Sequence, residues 1–220
     1  MTALDKFRLD GKVAFIPGGG GGIGSSLACG LASAGADVVI VERTRELGEP
    51  AADKVRTQGC RSLTVAGDMT KEEDANRAVA ETVAEMGRLD VIINAIGGGA
   101  GKVLFPAHEY PRDAWDWIFE LNVRANLLPT QAAVRQMIAA GRGGRVLNIS
   151  SVRASLGINA GYSAYVAAKG AMSSLTRQMA TEWAPYNITV NAIAPTFVDT
   201  PQVAMLLDEY YQKTLQVRPP

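Results

Sequence analysis

The stretch Lys12-Val13-Ala14-Phe15-Ile16-Pro17-Gly18-Gly19-Gly20-Gly21-Gly22-Ile23-Gly24 decides how the rest of this chain folds. Val13 to Ile16 form a short apolar run, which suits a strand buried on both faces. A glycine turn follows at once, and a helical pattern begins at about Ser25 and runs to Ala34. Strand, glycine turn and helix in immediate succession let the backbone approach a pyrophosphate while the helix N-terminus aims N–H groups at it. So many glycines fit two registers. Gly19, Gly21 and Gly24 make G-x-G-x-x-G, whereas Gly18, Gly22 and Gly24 make G-x-x-x-G-x-G. Eighteen residues after Gly24 the apolar run Val38-Val39-Ile40-Val41 ends in Glu42. An acid there suits the hydroxyls of an adenosine ribose.

The same alternation continues downstream. Strands are expected near 13–16, 38–41, 62–65, 90–94, 145–149 and 188–192, and helices near 25–34, 46–57, 71–86, 112–138, 163–184 and 202–215. Thr70 with Glu73 has the spacing of a capping box opening the third helix. Short apolar strands separated by amphipathic helices predict an α/β fold with a doubly wound parallel (Rossmann) sheet, and residues 1–220 make one domain. Ligands then belong at the carboxyl ends of the strands. Charge is balanced, 22 Lys and Arg against 22 Asp and Glu, so no basic field invites nucleic acid. Residues 1–11 lack the apolar core of a signal peptide, and no apolar run approaches the length of a membrane span. Cys29 and Cys60 have neither metal nor redox spacing, and reduced cysteines in a cytoplasmic protein are expected. His108 is the single histidine, so no metal site is expected.

Chemistry is carried by Tyr165-Val166-Ala167-Ala168-Lys169, inside a run from Tyr162 to Ala184 whose composition favours helix. The spacing stacks tyrosine and lysine one turn apart on one face. A tyrosine ordinarily ionises near pH ~10, and an ammonium held beside it favours the phenolate. Bringing that pKa to neutrality takes about 4 kcal/mol of differential interaction. Such a tyrosine exchanges a proton with an alcohol or ketone at neutral pH.

Both ends of the chain together resemble the short-chain dehydrogenase/reductase family over nearly the whole length. The resemblance is carried by Gly22-Ile23-Gly24, Asp68 after the third strand, Asn94-Ala95-Ile96-Gly97 after the fourth, and Asn122 in Glu120-Leu121-Asn122-Val123. It continues through Asn148-Ile149-Ser150-Ser151 after the fifth strand, Tyr165 with Lys169, and Asn191-Ala192-Ile193-Ala194-Pro195. It implies an NAD(P)-dependent oxidoreductase interconverting a secondary alcohol and a ketone. Tyr165 is its acid/base, and Lys169 adjusts the tyrosine and binds the nicotinamide ribose. A serine, Ser151 in preference to Ser150, bonds the reacting oxygen, and Asn122 holds a water in a proton path. Gly18, Gly22, Ile23, Gly24, Glu42, Asp68, Met69, Asn94, Ala95, Tyr165, Lys169 and Pro195 are then the cofactor residues. A non-catalytic dinucleotide-binding regulator would share the fold; the intact set Asn122, Ser151, Tyr165 and Lys169 argues against it.

Glu42 and Gly21 favour NAD(H), while Arg43 keeps NADP(H) open. Pro17, Ala95 and Thr196 stand where the family usually has threonine, asparagine and glycine. Substrate walls are expected from residues 97–106, 152–162 and 196–215, with Arg153, His108, Asn159 and Tyr162 as polar lining. Glu182-Trp183-Ala184 resembles polyol and gluconate dehydrogenases, with 3-oxoacyl-carrier-protein reductases nearly as similar. A small polyol or sugar acid is the expected substrate, with Arg153 a carboxylate partner or a solvated loop cation. The resemblance implies helix contacts near 112–138 and 163–184 between subunits, hence a homodimer or homotetramer. No further strand is read after 188–192, because 203–217 reads as helix and Pro219-Pro220 stops it. Either a longer protein or a shortened member with a weakened tetramer is expected.

Overall fold

Strands lined by Val and Ile on both sides account for the architecture. In β1 (Val13–Pro17) every residue is buried. Val13 and Phe15 join one core, and Ile16 joins the other on the opposite face. β2 (Asp37–Glu42) repeats the division, Val39 and Val41 facing one way and Val38 and Ile40 the other. A strand apolar on both faces needs helices above and below it. The computed structural model, which describes residues 4–99, 103–201 and 203–204, provides them.

β3 (Ser62–Ala66), β4 (Val91–Asn94), β5 (Gly144–Ile149) and β6 (Ile188–Ile193) complete a six-stranded sheet of order β3-β2-β1-β4-β5-β6. Every neighbouring pair runs parallel. α1 (Gly22–Ser33) and α2 (Arg45–Arg56) contribute Ala28, Ala32, Ala51, Ala52 and Val55 to one core. α3 (Glu72–Met86), α5 (Ala125–Ala140) and α6 (Ser163–Trp183) cover the other face through Val79, Ala133, Met137 and Met179. The strand order reverses between β1 and β4, and a ligand crevice forms at such a switch point.

Two local expectations are corrected. The predicted helix 112–138 divides into α4 (Arg112–Phe119), a π-helical turn (Glu120–Arg124) and α5. The cause is side-chain competition for the helix carbonyls. Asn122 donates to Ile118 O (3.0 Å) and Asn126 to Asn122 O (2.9 Å), and Pro129 has no N–H to give. The capping box does not form, because Thr70 Oγ1 donates instead to Asp68 Oδ1 (2.7 Å) and the helix N-cap is Lys71. The expected helix 202–215 falls almost entirely outside the described residues, as do 100–102 of the first substrate loop.

Candidate active site

The glycine turn is shaped by close backbone approach. Gly18 has φ +79°, and a Cβ there would sit 2.8 Å from the Ala95 carbonyl carbon. Gly24 packs so tightly on the Gly18 carbonyl that any side chain would overlap it. Pro17, which lacks the hydroxyl of threonine, still ties the turn to β4 by accepting from Ala95 N–H (2.9 Å). α1 starts at Gly22, earlier than expected, so the N–H groups of Gly22, Ile23 and Gly24 lie in its first turn without intrahelical partners.

These groups face a cavity of about 500 Å³ at the carboxyl ends of β1, β4, β5 and β6. Gly20 to Gly24 form one wall, Ala95 to Gly98 another, and Ser151, Tyr165 and Lys169 a third. Thr200, not singled out from sequence, closes over the turn: a Cβ on Gly22 would meet its methyl at 2.7 Å. A signal for it existed in Thr200-Pro201, where the hydroxyl accepts from Val203 N–H (3.3 Å) at the start of a turn. A diphosphate-linked dinucleotide fits this wall. It offers unpaired helix N–H groups and no side chain on its glycines, and no carboxylate lines the cavity among the described residues.

The Ser151 hydroxyl is close enough to the Tyr165 phenol to favour its ionised form, and it accepts from Arg153 N–H (3.1 Å), which fixes its orientation. Ser150 turns away to Ser173 Oγ (2.7 Å) and the Lys169 carbonyl (3.3 Å). Lys169 is buried, sits 5.7 Å from the Tyr165 ring centroid and donates to Ile149 O (2.9 Å). Burial depresses its pKa to about 8. The expected depression of the Tyr165 pKa is not found. Burial raises it, Ser151 and Arg153 oppose the rise, and the lysine is engaged with Ile149. Asn122 exchanges hydrogen bonds with Gly98 (3.1 Å each way), and its Oδ1 and Lys169 Nζ flank Gly97.

The other expected cofactor residues are placed differently. Glu42 folds back to accept from Gly20 N–H (3.0 Å), and partial burial raises its carboxyl pKa. Asp68 is held below the usual carboxylate range by the Thr70 hydroxyl, and the Met69 side chain is buried in the core. The Asn94 side chain turns away from the cavity into the core. It donates to Thr130 Oγ1 (2.6 Å) and Asn148 Oδ1 (2.7 Å), and Asn148 donates to Thr176 Oγ1 (2.9 Å). Pro195 and Ala95 line the cavity, whereas His108 is exposed beside Glu109. No three His, Cys, Asp or Glu side chains among the described residues could hold a metal, and no helix among them is long and apolar enough to cross a membrane.

A parallel sheet with a glycine-walled cavity at its switch point and a Ser-Tyr-Lys cluster facing it defines a dinucleotide-dependent enzyme. A family model described as short chain dehydrogenase matches residues 12–210. The chain is 36% identical over 201 residues to 2-dehydro-3-deoxy-D-gluconate 5-dehydrogenase of Escherichia coli K12, covering 90% of this chain and 76% of that one. A gluconate 5-dehydrogenase from Burkholderia cenocepacia J2315, solved with NADP and tartrate, superposes with a TM-score of 0.86 at 35% identity, covering 94% and 79% of the two chains. Carveol dehydrogenase from Mycobacterium avium, solved with NAD, gives 0.88 at 30%, covering 97% and 80%. The chain belongs to the short-chain dehydrogenase/reductase family. It is an NAD(P)-dependent oxidoreductase acting on CH–OH groups, interconverting secondary alcohols and ketones.

Proposed function

We propose that residues 1–220 form one catalytic unit that interconverts a small polyol or sugar acid and its ketone, with NAD(H) preferred. The observation that carries this is the cluster of Ser151, Tyr165 and Lys169 beside the glycine wall. The bound nicotinamide supplies or accepts the hydride. Tyr165 exchanges the proton of the reacting hydroxyl, and Ser151, held by Arg153 N–H, donates to the developing oxyanion. Lys169 holds the ribose hydroxyls. Asn122 Oδ1, across Gly97 from the lysine nitrogen, is placed to hold a water that relays protons outward.

The NAD(H) preference is supported by Glu42 at the end of β2 and by Gly21, which offers no cation to a 2′-phosphate. The substrate class is supported by the two gluconate-type relatives. We further propose a cytoplasmic homo-oligomer, in keeping with free Cys29 and Cys60 and with Trp117 on α4, 43% exposed. Steady-state kinetics on polyols, sugar acids and 3-oxoacyl thioesters with each cofactor test the proposal. The expected result is a higher kcat/KM with NAD(H) on polyols or sugar acids. Activity confined to thioesters, or a clear NADP(H) advantage, would overturn the respective part.

A further inference from the structure

The cavity departs from the charge balance of the whole chain, which carries 22 cationic and 22 acidic side chains. Among the described residues, its charged lining side chains are Lys169 and Arg153, and no Asp, Glu, Asn or Gln lines it. That composition suits a neutral polyol poorly, because acidic and amide side chains are the usual acceptors for its hydroxyl donors. It suits an anion well. Two cations in a partly enclosed, mainly apolar cavity focus a positive potential on whatever enters.

Lys169 donates to Ile149 O and, in the proposed function, also serves the ribose hydroxyls of the cofactor. Arg153 is different. It follows β5 two residues after Ser151, and its main-chain N–H bonds the Ser151 hydroxyl (3.1 Å), so its backbone is anchored beside that hydroxyl while its side chain lines the same cavity. Nη1 donates to Gly157 O (3.2 Å), which braces the side chain across its own turn. No carboxylate pairs with it among the described residues, and its charge reaches both Tyr162 and Tyr165. A guanidinium carries five donors in a planar fork, and this bond uses one.

We propose that Arg153 is the specificity residue of this site and binds the carboxylate of a small hydroxy acid or oxo acid whose reacting oxygen lies at Ser151 and Tyr165. Of the classes in the proposed function, on which this inference rests, it selects the sugar acids over the neutral polyols. A planar fork with one partner taken still offers a bidentate pair to a carboxylate.

The test compares D-gluconate with D-glucitol, which differ in a terminal carboxylate against CH2OH, as substrates of the full chain with NAD+. Arg153→Met should lower kcat/KM for D-gluconate about 10- to 100-fold, mainly through KM, with D-glucitol changed less than about twofold. Arg153→Lys should recover part of the loss. If Arg153 only braces its turn, both substrates suffer equally, and that result, or no loss with D-gluconate, overturns the inference. Wild-type turnover of D-glucitol but not D-gluconate would overturn the inference and leave the polyol proposal standing. If neither substrate turns over, the proposed function falls. The inference is then decided by the thermal shift that D-gluconate gives the NADH-loaded protein: a shift lost in Arg153→Met upholds it, and no shift in the wild type overturns it.

Discussion

Replacing Lys169 by Met should stabilise the protein while removing its activity. Lys169 is 3% exposed and has no carboxylate partner among the described residues. Burial lowers its pKa from 10.5 to about 8. At about 1.4 kcal/mol per pH unit, holding that ammonium inside costs about 3 kcal/mol. Its hydrogen bond to Ile149 O returns about 1 kcal/mol, so Met should gain about 2 kcal/mol, or roughly 4–8 °C in Tm for a chain of this size. The sign of the pH dependence follows from the depressed folded-state value. The cost is fully present below pH about 8, where folded and unfolded lysines are both protonated, and it vanishes as pH rises toward 10.5. Urea melts of both proteins from pH 7 to 10.5 should show the stability gap closing across that window. A Met variant less stable than wild type at pH 7, by a margin independent of pH, would refute the reasoning.

Tyr165→Phe should cut kcat by about 10²- to 10⁴-fold while moving stability by less than about 1 kcal/mol, since the ring keeps its packing and only the hydroxyl beside Ser151 is lost; steady-state kinetics and a thermal melt check the two halves. Asn148→Leu leaves Asn94 without one of its two acceptors inside the core, and the expected loss is about 2–3 kcal/mol by urea denaturation. Because Asn148 does not line the cavity, the cofactor Kd should change less than about threefold.

Much of the fold was legible because strand burial on both faces writes itself as unbroken apolar runs. Val38 to Val41 needs no partner information to be placed inside a sheet. Glycine turn, strand ends and the Tyr165–Lys169 spacing fixed where the site would lie for the same local reasons. What escaped depends on partners distant in sequence. The π-helical turn requires knowing that Asn122 meets Gly98 as well as Ile118. The capping box failed because Asp68, outside the motif, took the Thr70 hydroxyl. Asn94 reads as a cofactor residue from its motif, yet Thr130 and Asn148 on either side draw its amide into the core. The local pattern Thr200-Pro201 marks the start of a turn, but its place over Gly22 comes from a loop closure between distant residues.

The tyrosine shows most clearly why spacing alone under-determines chemistry. One helical turn brings Lys169 beneath Tyr165, and from that alone a lowered phenol pKa follows. In the folded chain the ammonium sits 5.7 Å from the ring centroid and donates a hydrogen bond to a strand carbonyl, while burial disfavours the phenolate. The resting phenol therefore keeps its proton at neutral pH, the form that donates to a ketone oxygen. The groups opposing burial are a hydroxyl and a guanidinium from the turn after β5, not the helix neighbour. Tyr165 is thus adjusted by the loop that also lines the cavity, but Arg153 is the smallest of these influences, so the kinetic pH profile of Arg153→Met should stay close to that of wild type while binding of an acid substrate weakens, and a profile displaced by a full pH unit would refute this ranking.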